Sequence, residues 1–526
     1  MLYDSKPDIG TRYPGSDGND SQRAAFLKWI EQILIGIDRL KAHDHVYLME
    51  SNRRQGDLNG ELIWSSKIPA AGIPMEEVNH KLLSLLHSLP LHTRYELTDT
   101  TQMASIPGIL GLLTACLVNG SHVPDAYGPA GTEAKARVTA MLSRLVGYNS
   151  SSGGYTPGEG QEAIFTALRI AIAKLAPDAP RSGVPRKLYV LCSEAAHDSL
   201  LRSMEAVGIG SGHLIRVRTL PDNSMDLVEL KDQLIRVIRS GGTPICIVAT
   251  TGTSDAMGID DVEEIYHLAA ILCSVYNVPR PHIHADSVLG GIFAFFNGYD
   301  FAANPFSFGP ETLHALYRIQ CKMAKLRFAD SLCFDFHKLG QLPYSSSMLL
   351  LKDAKDLQLI DLTAEETPSR SFGIYSALLA FGTEGYQQML GHLVEVNIAF
   401  RKALKMNIPE AVIVNRFNPG NITLFRIYPG GVSRFAEELN GECTKDEVER
   451  TNLLNERLFE RLGQRRERMS FDHTKKYLSV LTEDQHTMPL YAAKLSVISP
   501  HTGTEHVDEI VLFLKEIIDD VIVTER

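Results

Sequence analysis

From Gly153 to Phe336 short apolar runs alternate with amphipathic helical stretches, and this alternation limits the fold more than any other feature of the chain. Leu188 to Cys192, Ile245 to Ala249, Ile283 to Asp286 and Leu332 to Phe336 have the length and composition of buried strands. Between them lie Gln161 to Ala176, whose apolar face runs unbroken to Pro177, Leu227 to Arg239, and Val262 to Val275. Asp226 with Glu229, and Asp261 with Glu264, have capping-box spacing, and Gly241-Gly242 follows the second of these helices. An order of β, α, β, α predicts a mostly parallel sheet covered by helices on both faces.

Outside this block the pattern changes. Residues 1–20 read as a polar lead-in. Ser21 to Ala42 repeats Phe26, Ile30, Ile33, Leu34, Ile37 and Leu40 at helical spacing, and residues 43–90 carry no clear period. After about residue 385, polar helices such as Lys445 to Leu462 alternate with apolar pieces such as Ala411 to Val414 and Lys494 to Ile498. The expected division is an N-terminal arm with helices over 1–95, a large α/β domain over 96–385 and a smaller C-terminal α/β domain over 386–526.

At 526 residues the chain exceeds one simple core, and 44% hydrophobic with 22% charged residues is an ordinary globular composition. A net charge of -11 lacks the basic footprint of a nucleic-acid binder, and no run of five Lys or Arg marks a membrane surface. The longest apolar run, Ile106 to Val118, is too short to span a bilayer and contains Pro107. Met1 to Asp20 does not read as a secretory signal. Seven scattered cysteines without a C-x-x-C pair suggest reduced thiols and a cytoplasmic location. No nucleic-acid or membrane partner is expected.

Four groups fall at the expected carboxyl ends of strands, where open α/β sheets bind ligands. Gly153 to Gln161 is a glycine-rich turn that opens a helix; its backbone N–H groups form an anion site, although a plain turn is the commoner reading. His197 offers a flat ring that can stack on an aromatic ligand, against the usual fate of a lone His as a structural residue. Asp286 could hold a pyridine nitrogen protonated, or merely cap a helix. Lys338, in Asp335-Phe336-His337-Lys338, could lose its proton beside an apolar strand end and act as an amine nucleophile, whereas most lysines are surface residues.

Taken in order, these blocks resemble the group II pyridoxal-phosphate-dependent amino acid decarboxylases, the family of glutamate, aromatic-amino-acid and tyrosine decarboxylases. The resemblance runs from about Thr98 to Gly385, with a weaker echo in Lys494 to Leu514. Thr98 to Asn119 is similar to a family segment that ends in Asn after a helix, Thr156 to Leu168 to its phosphate turn, and Ser193 to Gly208 to its stacking-histidine block. Thr250 to Asp260 is similar to its A-T-x-G-T-T stretch, His284 to Gly291 to H-V-D-A-A-x-G-G, Asp330 to Pro343 to its His-Lys block, and Thr367 to Gly373 to T-x-S-R-S-x-G.

The resemblance implies an aspartate-aminotransferase-like fold (fold type I), a homodimer and pyridoxal 5'-phosphate as cofactor. It implies that Lys338 carries the cofactor, Asp286 pairs with the pyridine nitrogen and His197 stacks on the ring. Gly158, Gly160, Gln161 and His337 would surround the phosphate, with Thr253 and Ser254 near the ring. The chain departs from the pattern where Gly158-Glu159-Gly160-Gln161 replaces G-G followed by Ser or Thr, and Glu159 must then point away from a phosphate. It also carries extra residues over Asn297 to Arg327. The expected reaction is decarboxylation of an L-amino acid to a primary amine, with the residues after Lys338 favouring an aromatic or apolar side chain. An aldehyde synthase or a carbon–carbon lyase would use the same cofactor. A remote alternative is a zinc or iron hydrolase built on His282, His284 and Asp286, which alternate along one strand. From Ser345 to Ile374 there is no Tyr or His, so the loop tyrosine that usually returns a proton in the family is missing; His197 and Tyr155 are the nearest substitutes.

Overall fold

The structure is a computed structural model, and it describes residues 12–14, 20–41, 46, 63–86, 89–99, 103–120, 129–360, 368–418 and 420–523. The expected lead-in over 1–20 lies almost wholly outside these residues, as does Thr367. The chain forms two compact units, one of residues 1–96 with 465–470 and one of residues 97–464 with 471–526.

In the first unit, α1 (Asp20–Leu40) packs against α2 (Met75–Ser84). Gly36 of α1 lies so close to Leu83 of α2 that a Cβ there would meet its side chain. No residue of α1 is buried, and Leu27 and Leu34 are exposed.

The second unit begins with α3 (Ile106–Val118), capped by the Ser105 hydroxyl, which accepts the Gly108 N–H at 3.3 Å, and α4 (Pro129–Val146). A seven-stranded sheet follows. Its strands are β1 (Gly153–Tyr155), β2 (Leu188–Ser193), β3 (Leu214–Val217), β4 (Thr243–Thr250), β5 (His282–Asp286), β6 (Ser331–Asp335) and β7 (Ser347–Leu351). Their spatial order is β1-β7-β6-β5-β4-β2-β3, and every pairing is parallel except the two made by β7. The sheet is therefore mostly parallel, and β2, β4, β5 and β6 end on one edge.

The helices that cover the sheet form for legible reasons. Helix α5 (Gly160–Leu175) turns Ile164, Leu168, Ala171 and Ile172 onto Val190, Cys192 and Val248 of the sheet. Burying a Leu or Ile side chain contributes roughly 1.5–3 kcal/mol, so this face fixes the helix against the strands. Helix α6 (Ser199–Ala206) follows β2. Helix α7 (Leu227–Arg239) starts at Asp226, whose carboxylate accepts the N–H groups of Val228 and Glu229. The return arm of the expected capping box is absent, because Glu229 instead accepts the Arg218 N–H at 2.9 Å. Helix α8 (Val262–Tyr276) is capped by Asp261 through the Glu264 N–H. The extra segment after β5 contains α9 (Pro310–Met323).

Helix α10 (Pro368–Asn407) leads from the large sheet to the C-terminal part and departs from helical geometry at Gly382, where φ is 59° and ψ is -172°. A second sheet then follows, in which β8 (Ala411–Ile413), β9 (Ile422–Ile427), β10 (Ser470–Thr474) and β11 (Ala492–Ser496) run in the order β10-β11-β9-β8, all antiparallel. No helix of the described residues is long and apolar enough to cross a membrane.

Candidate active site

The shared edge of β2, β4, β5 and β6 opens on a cavity of about 590 Å³. His197 and Ser254 line it from the loops after β2 and β4, Asp286 from the end of β5, and Lys338 from the turn after β6. Strands far apart in sequence thus bring together four of the residues singled out above. Asp286 is fully enclosed, and burial pushes its carboxyl above the ordinary range, an effect opposed by the Lys338 ammonium. The Val288 N–H at 3.5 Å and the Cys333 thiol at 3.9 Å are its hydrogen-bond neighbours. Lys338 is half-buried, and its amine has no hydrogen-bond or ion-pair partner among the described residues. His197 Nδ1 accepts the Ser199 N–H at 3.2 Å and lies 2.9 Å from the Ser199 hydroxyl. A neutral ring then carries its proton on Nε2, the nitrogen left for the cavity.

The glycine-rich turn lies elsewhere. Gly158 and Gln161 line a second cavity of about 470 Å³, together with Glu159, Tyr344 and Arg370. A Cβ on Gly160 would stand 2.3 Å from Val288 Cγ1, so glycine there permits a close approach of α5 to the loop after β5. The Glu159 carboxylate accepts the Tyr344 hydroxyl at 2.8 Å. Gln161 accepts from Arg202 at 3.1 Å. Gly160, Thr253 and His337 line neither cavity. The Thr253 hydroxyl accepts the Gly258 N–H at 2.8 Å and closes its own loop. His337 accepts the Ser346 N–H at Nδ1, 3.0 Å, and presents Nε2 to Asp335 at 3.4 Å, while burial pulls its pKa down. Tyr155, the second candidate proton donor, is buried on β1 and gives its hydroxyl to Glu162.

His282 and His284 do not form a metal centre with Asp286. Each places a ring nitrogen 2.8 Å from the single hydroxyl of Ser331. Burial holds both rings neutral, at about 4 and about 3. No group of three His, Cys, Asp or Glu side chains suited to a metal occurs among the described residues.

One wall of the first cavity escaped the sequence reading. Asp472 and His473 of β10, Lys494 of β11 and Asp99 all line it. Lys494 Nζ lies 2.7 Å from Asp99, 3.3 Å from Asp472 and 4.0 Å from Asp255. The only prior signal was the weak family echo that begins at Lys494.

The family described as the pyridoxal-dependent decarboxylase conserved domain matches residues 91–366. An L-2,4-diaminobutyrate decarboxylase of Rhizobium meliloti (strain 1021) is 32% identical over 252 residues, which are 48% of this chain and 44% of that protein. An aspartate 1-decarboxylase of Aliivibrio fischeri is 22% identical over 74% of this chain and 78% of its own. The chain spans less than half the length of the first curated relatives it matches. Among solved structures, the glutamate decarboxylase domain of a diaminobutyrate-pyruvate transaminase and L-2,4-diaminobutyrate decarboxylase from Vibrio parahaemolyticus superposes with a TM-score of 0.75, at 16% identity and 98% coverage of both chains. A Rhodiola rosea 4-hydroxyphenylacetaldehyde synthase gives 0.73 at 16% identity, covering 96% of this chain and 100% of that one. At such identities the likeness is one of fold.

Proposed function

Because the chain belongs to the pyridoxal-dependent decarboxylase family, with pyridoxal phosphate as its cofactor and the aspartate-aminotransferase-like fold, we propose that it is an L-amino acid decarboxylase releasing carbon dioxide and a primary amine. The observation that carries this reading is one cavity holding an unpaired lysine amine, a buried carboxylate and an imidazole at neighbouring strand ends. The residues present suit the cofactor. Besides Asp286 and Lys338, Thr250 lines this cavity, and its buried hydroxyl has no hydrogen-bond partner among the described residues. A group with polar atoms of its own is what such an orphan requires.

Lys338 would hold the cofactor through its amine, and Asp286 would place negative charge at the pyridine nitrogen. His197 would cover the ring, with Thr253 and Ser254 on the loop beside it. Gly158, Gly160 and Gln161, at the start of α5, and His337 are the proposed surroundings of the phosphate. When bound, pyridoxal phosphate supplies an electron sink for the bond that releases carbon dioxide. His197 Nε2 would hold a proton for return to Cα.

An aromatic or apolar substrate side chain, expected from the sequence, would meet six acidic and four basic side chains in this cavity and, among the described residues, no Phe, Tyr or Trp. The lining supports a polar side chain instead. We read the working unit as a cytoplasmic homodimer. The exposed faces of α1 and of α3, with Ile106 and Val118 more than 70% exposed, support a second copy, and light scattering should give a mass of two chains. The experiment that tests the activity is a screen of the amino acids for carbon dioxide and amine. Release of neither from any amino acid by cofactor-loaded protein would reject it.

A further inference from the structure

Strands β5 and β6 run parallel, with Ser331 beside His284 and Cys333 beside Asp286. Side chains alternate along a strand, so His282, His284 and Asp286 share one face with Ser331 and Cys333. On that face they form an unbroken row of polar contacts, and every member of it is buried. His282 Nε2 and His284 Nδ1 each lie 2.8 Å from Ser331 Oγ. His284 Nε2 lies 3.8 Å from Cys333 Sγ, and that sulfur lies 3.9 Å from Asp286 Oδ1. The Ala285 carbonyl, at 4.0 Å, is another acceptor for the thiol, but it is farther and uncharged.

Proton counting gives this row a direction. Ser331 has one hydroxyl proton and two imidazole neighbours, so it donates to one ring and accepts from the other. Each neutral ring likewise carries a single N–H. With every contact bonded, two arrangements remain. In the first, His282 Nε2–H donates to Ser331, Ser331 to His284 Nδ1, His284 Nε2–H to Cys333, and the thiol to Asp286. In the second, all are reversed: Asp286 is protonated and donates, and the proton of His282 sits on Nδ1. His282 Nδ1 is buried and has no hydrogen-bond partner among the described residues. A bare ring nitrogen there forgoes one acceptor bond, whereas an N–H there would be an unmet buried donor. The first arrangement is therefore preferred, and it needs Asp286 ionised. Its donors all point the same way, so each polarises the next.

We propose that His282, Ser331, His284 and Cys333 form a one-directional hydrogen-bond chain that keeps Asp286 a carboxylate at the cofactor ring, with Cys333 the positioning residue that joins the chain to it. The inference rests on the proposed place of Asp286 at that ring. Burial alone favours the neutral carboxyl, which could not hold a pyridine nitrogen protonated. The chain opposes burial from the side of Asp286 that faces the sheet. It also gives the two buried histidines of β5 a part that no metal centre supplies.

Two spectroscopic readings test it on the full chain. The first is the infrared S–H stretch of Cys333 in the protein as purified, identified as the band missing from Cys333→Ala. Asp286→Asn removes the charged acceptor, and the band should rise in frequency; an unmoved band would overturn the inference. The second is the nitrogen resonance of protein loaded with ring-15N pyridoxal phosphate. Cys333→Ala should raise the unprotonated share of the ring nitrogen about fivefold, the effect of one net hydrogen bond. Ser331→Ala, three links from Asp286, should raise it by about twofold or more. Far-ultraviolet circular dichroism and the bound cofactor band control for folding. A ring signal unmoved in either variant, while Asp286→Asn moves it, would overturn the chain. Should Asp286→Asn leave the ring signal in place as well, the position of Asp286 at the ring is rejected, and the S–H band alone decides the chain.

Discussion

Asp260 Oδ2 accepts the Thr250 N–H at 2.8 Å while its Oδ1 accepts the Met225 N–H at 2.6 Å, so one enclosed carboxyl ties the cavity end of β4 to the segment before α7. Burial raises this carboxyl to about 7 against an ordinary value of 3.8, despite the two donors. The folded state therefore keeps a proton that the unfolded chain releases between about pH 4 and pH 7. This stabilisation is complete below the unfolded value and is lost as the pH rises through 7. Its loss between pH 5 and 8 should be about 2.5 kcal/mol. Denaturant unfolding of the wild type and of Asp260→Asn at those two pH values measures it. The wild type should lose its advantage over the variant as the pH rises, and a constant difference would contradict the shift.

Lys338 follows β6 by three residues, and its backbone N–H is held on the Asp335 carbonyl at 3.1 Å, so the position of its amine is set by the sheet. Lys338→Ala is expected to abolish turnover, by a factor of at least ~1,000. The protein should also lose the absorbance band that borohydride shifts in the wild type. Wild-type turnover in the variant would remove Lys338 from its proposed role.

Asp286 has only weak local support, the Cys333 thiol at 3.9 Å and the Val288 N–H at 3.5 Å, so most of its charge is available to a cofactor ring. Asp286→Asn removes the charge at nearly constant volume. A shift of one pKa unit at the ring is worth about 1.4 kcal/mol. A shift of two units gives a rate loss of roughly 100-fold. Steady-state rates of the cofactor-saturated variant check this, and a loss under about threefold would argue against the pairing.

The parallel core of the fold was legible because its strands are wholly buried and its helices are one-sided. Leu227 to Arg239 has the same limits in sequence and structure, and Val262 to Val275 differs from its helix by one residue. What stayed hidden had no local signature. Gly153 and Gly154 read as a turn but form β1. A Cβ on Gly154 would stand 2.1 Å from Thr139 Oγ1, so glycine serves close packing against α4 there. β3 is four residues long and interrupted by Arg216. β7 runs antiparallel to both of its sheet neighbours, outside the βαβ rhythm. The site followed the same rule. His197, Ser254, Asp286 and Lys338 belong to strand ends and could be placed in order, whereas Asp472, His473 and Lys494 reach the cavity from a second sheet more than a hundred residues later.

The remaining prediction concerns the proton that ends the reaction. Among the described residues no tyrosine lines the cavity, and Tyr155 gives its hydroxyl to Glu162. Two imidazoles of the described residues line it. His473 is wedged against Phe459 with ring centroids 3.8 Å apart and stacks on Tyr491 at 5.3 Å, which fixes its plane within the C-terminal wall, and burial lowers its pKa. His197 is exposed to the cavity with Nδ1 engaged by Ser199, leaving Nε2 as the donor. A positioned donor typically contributes 10²–10⁴-fold, so His197→Gln should slow amine release by roughly 100-fold or more. If protonation through His197 is what protects the carbanion, the wild type should form amine with little aldehyde in air. The variant, with return of the proton slowed, should divert a larger share to aldehyde, ammonia and peroxide. Product analysis of both proteins, in air and under nitrogen, decides the point. Near-stoichiometric aldehyde and peroxide from the wild type would replace the decarboxylase reading with that of an aldehyde synthase.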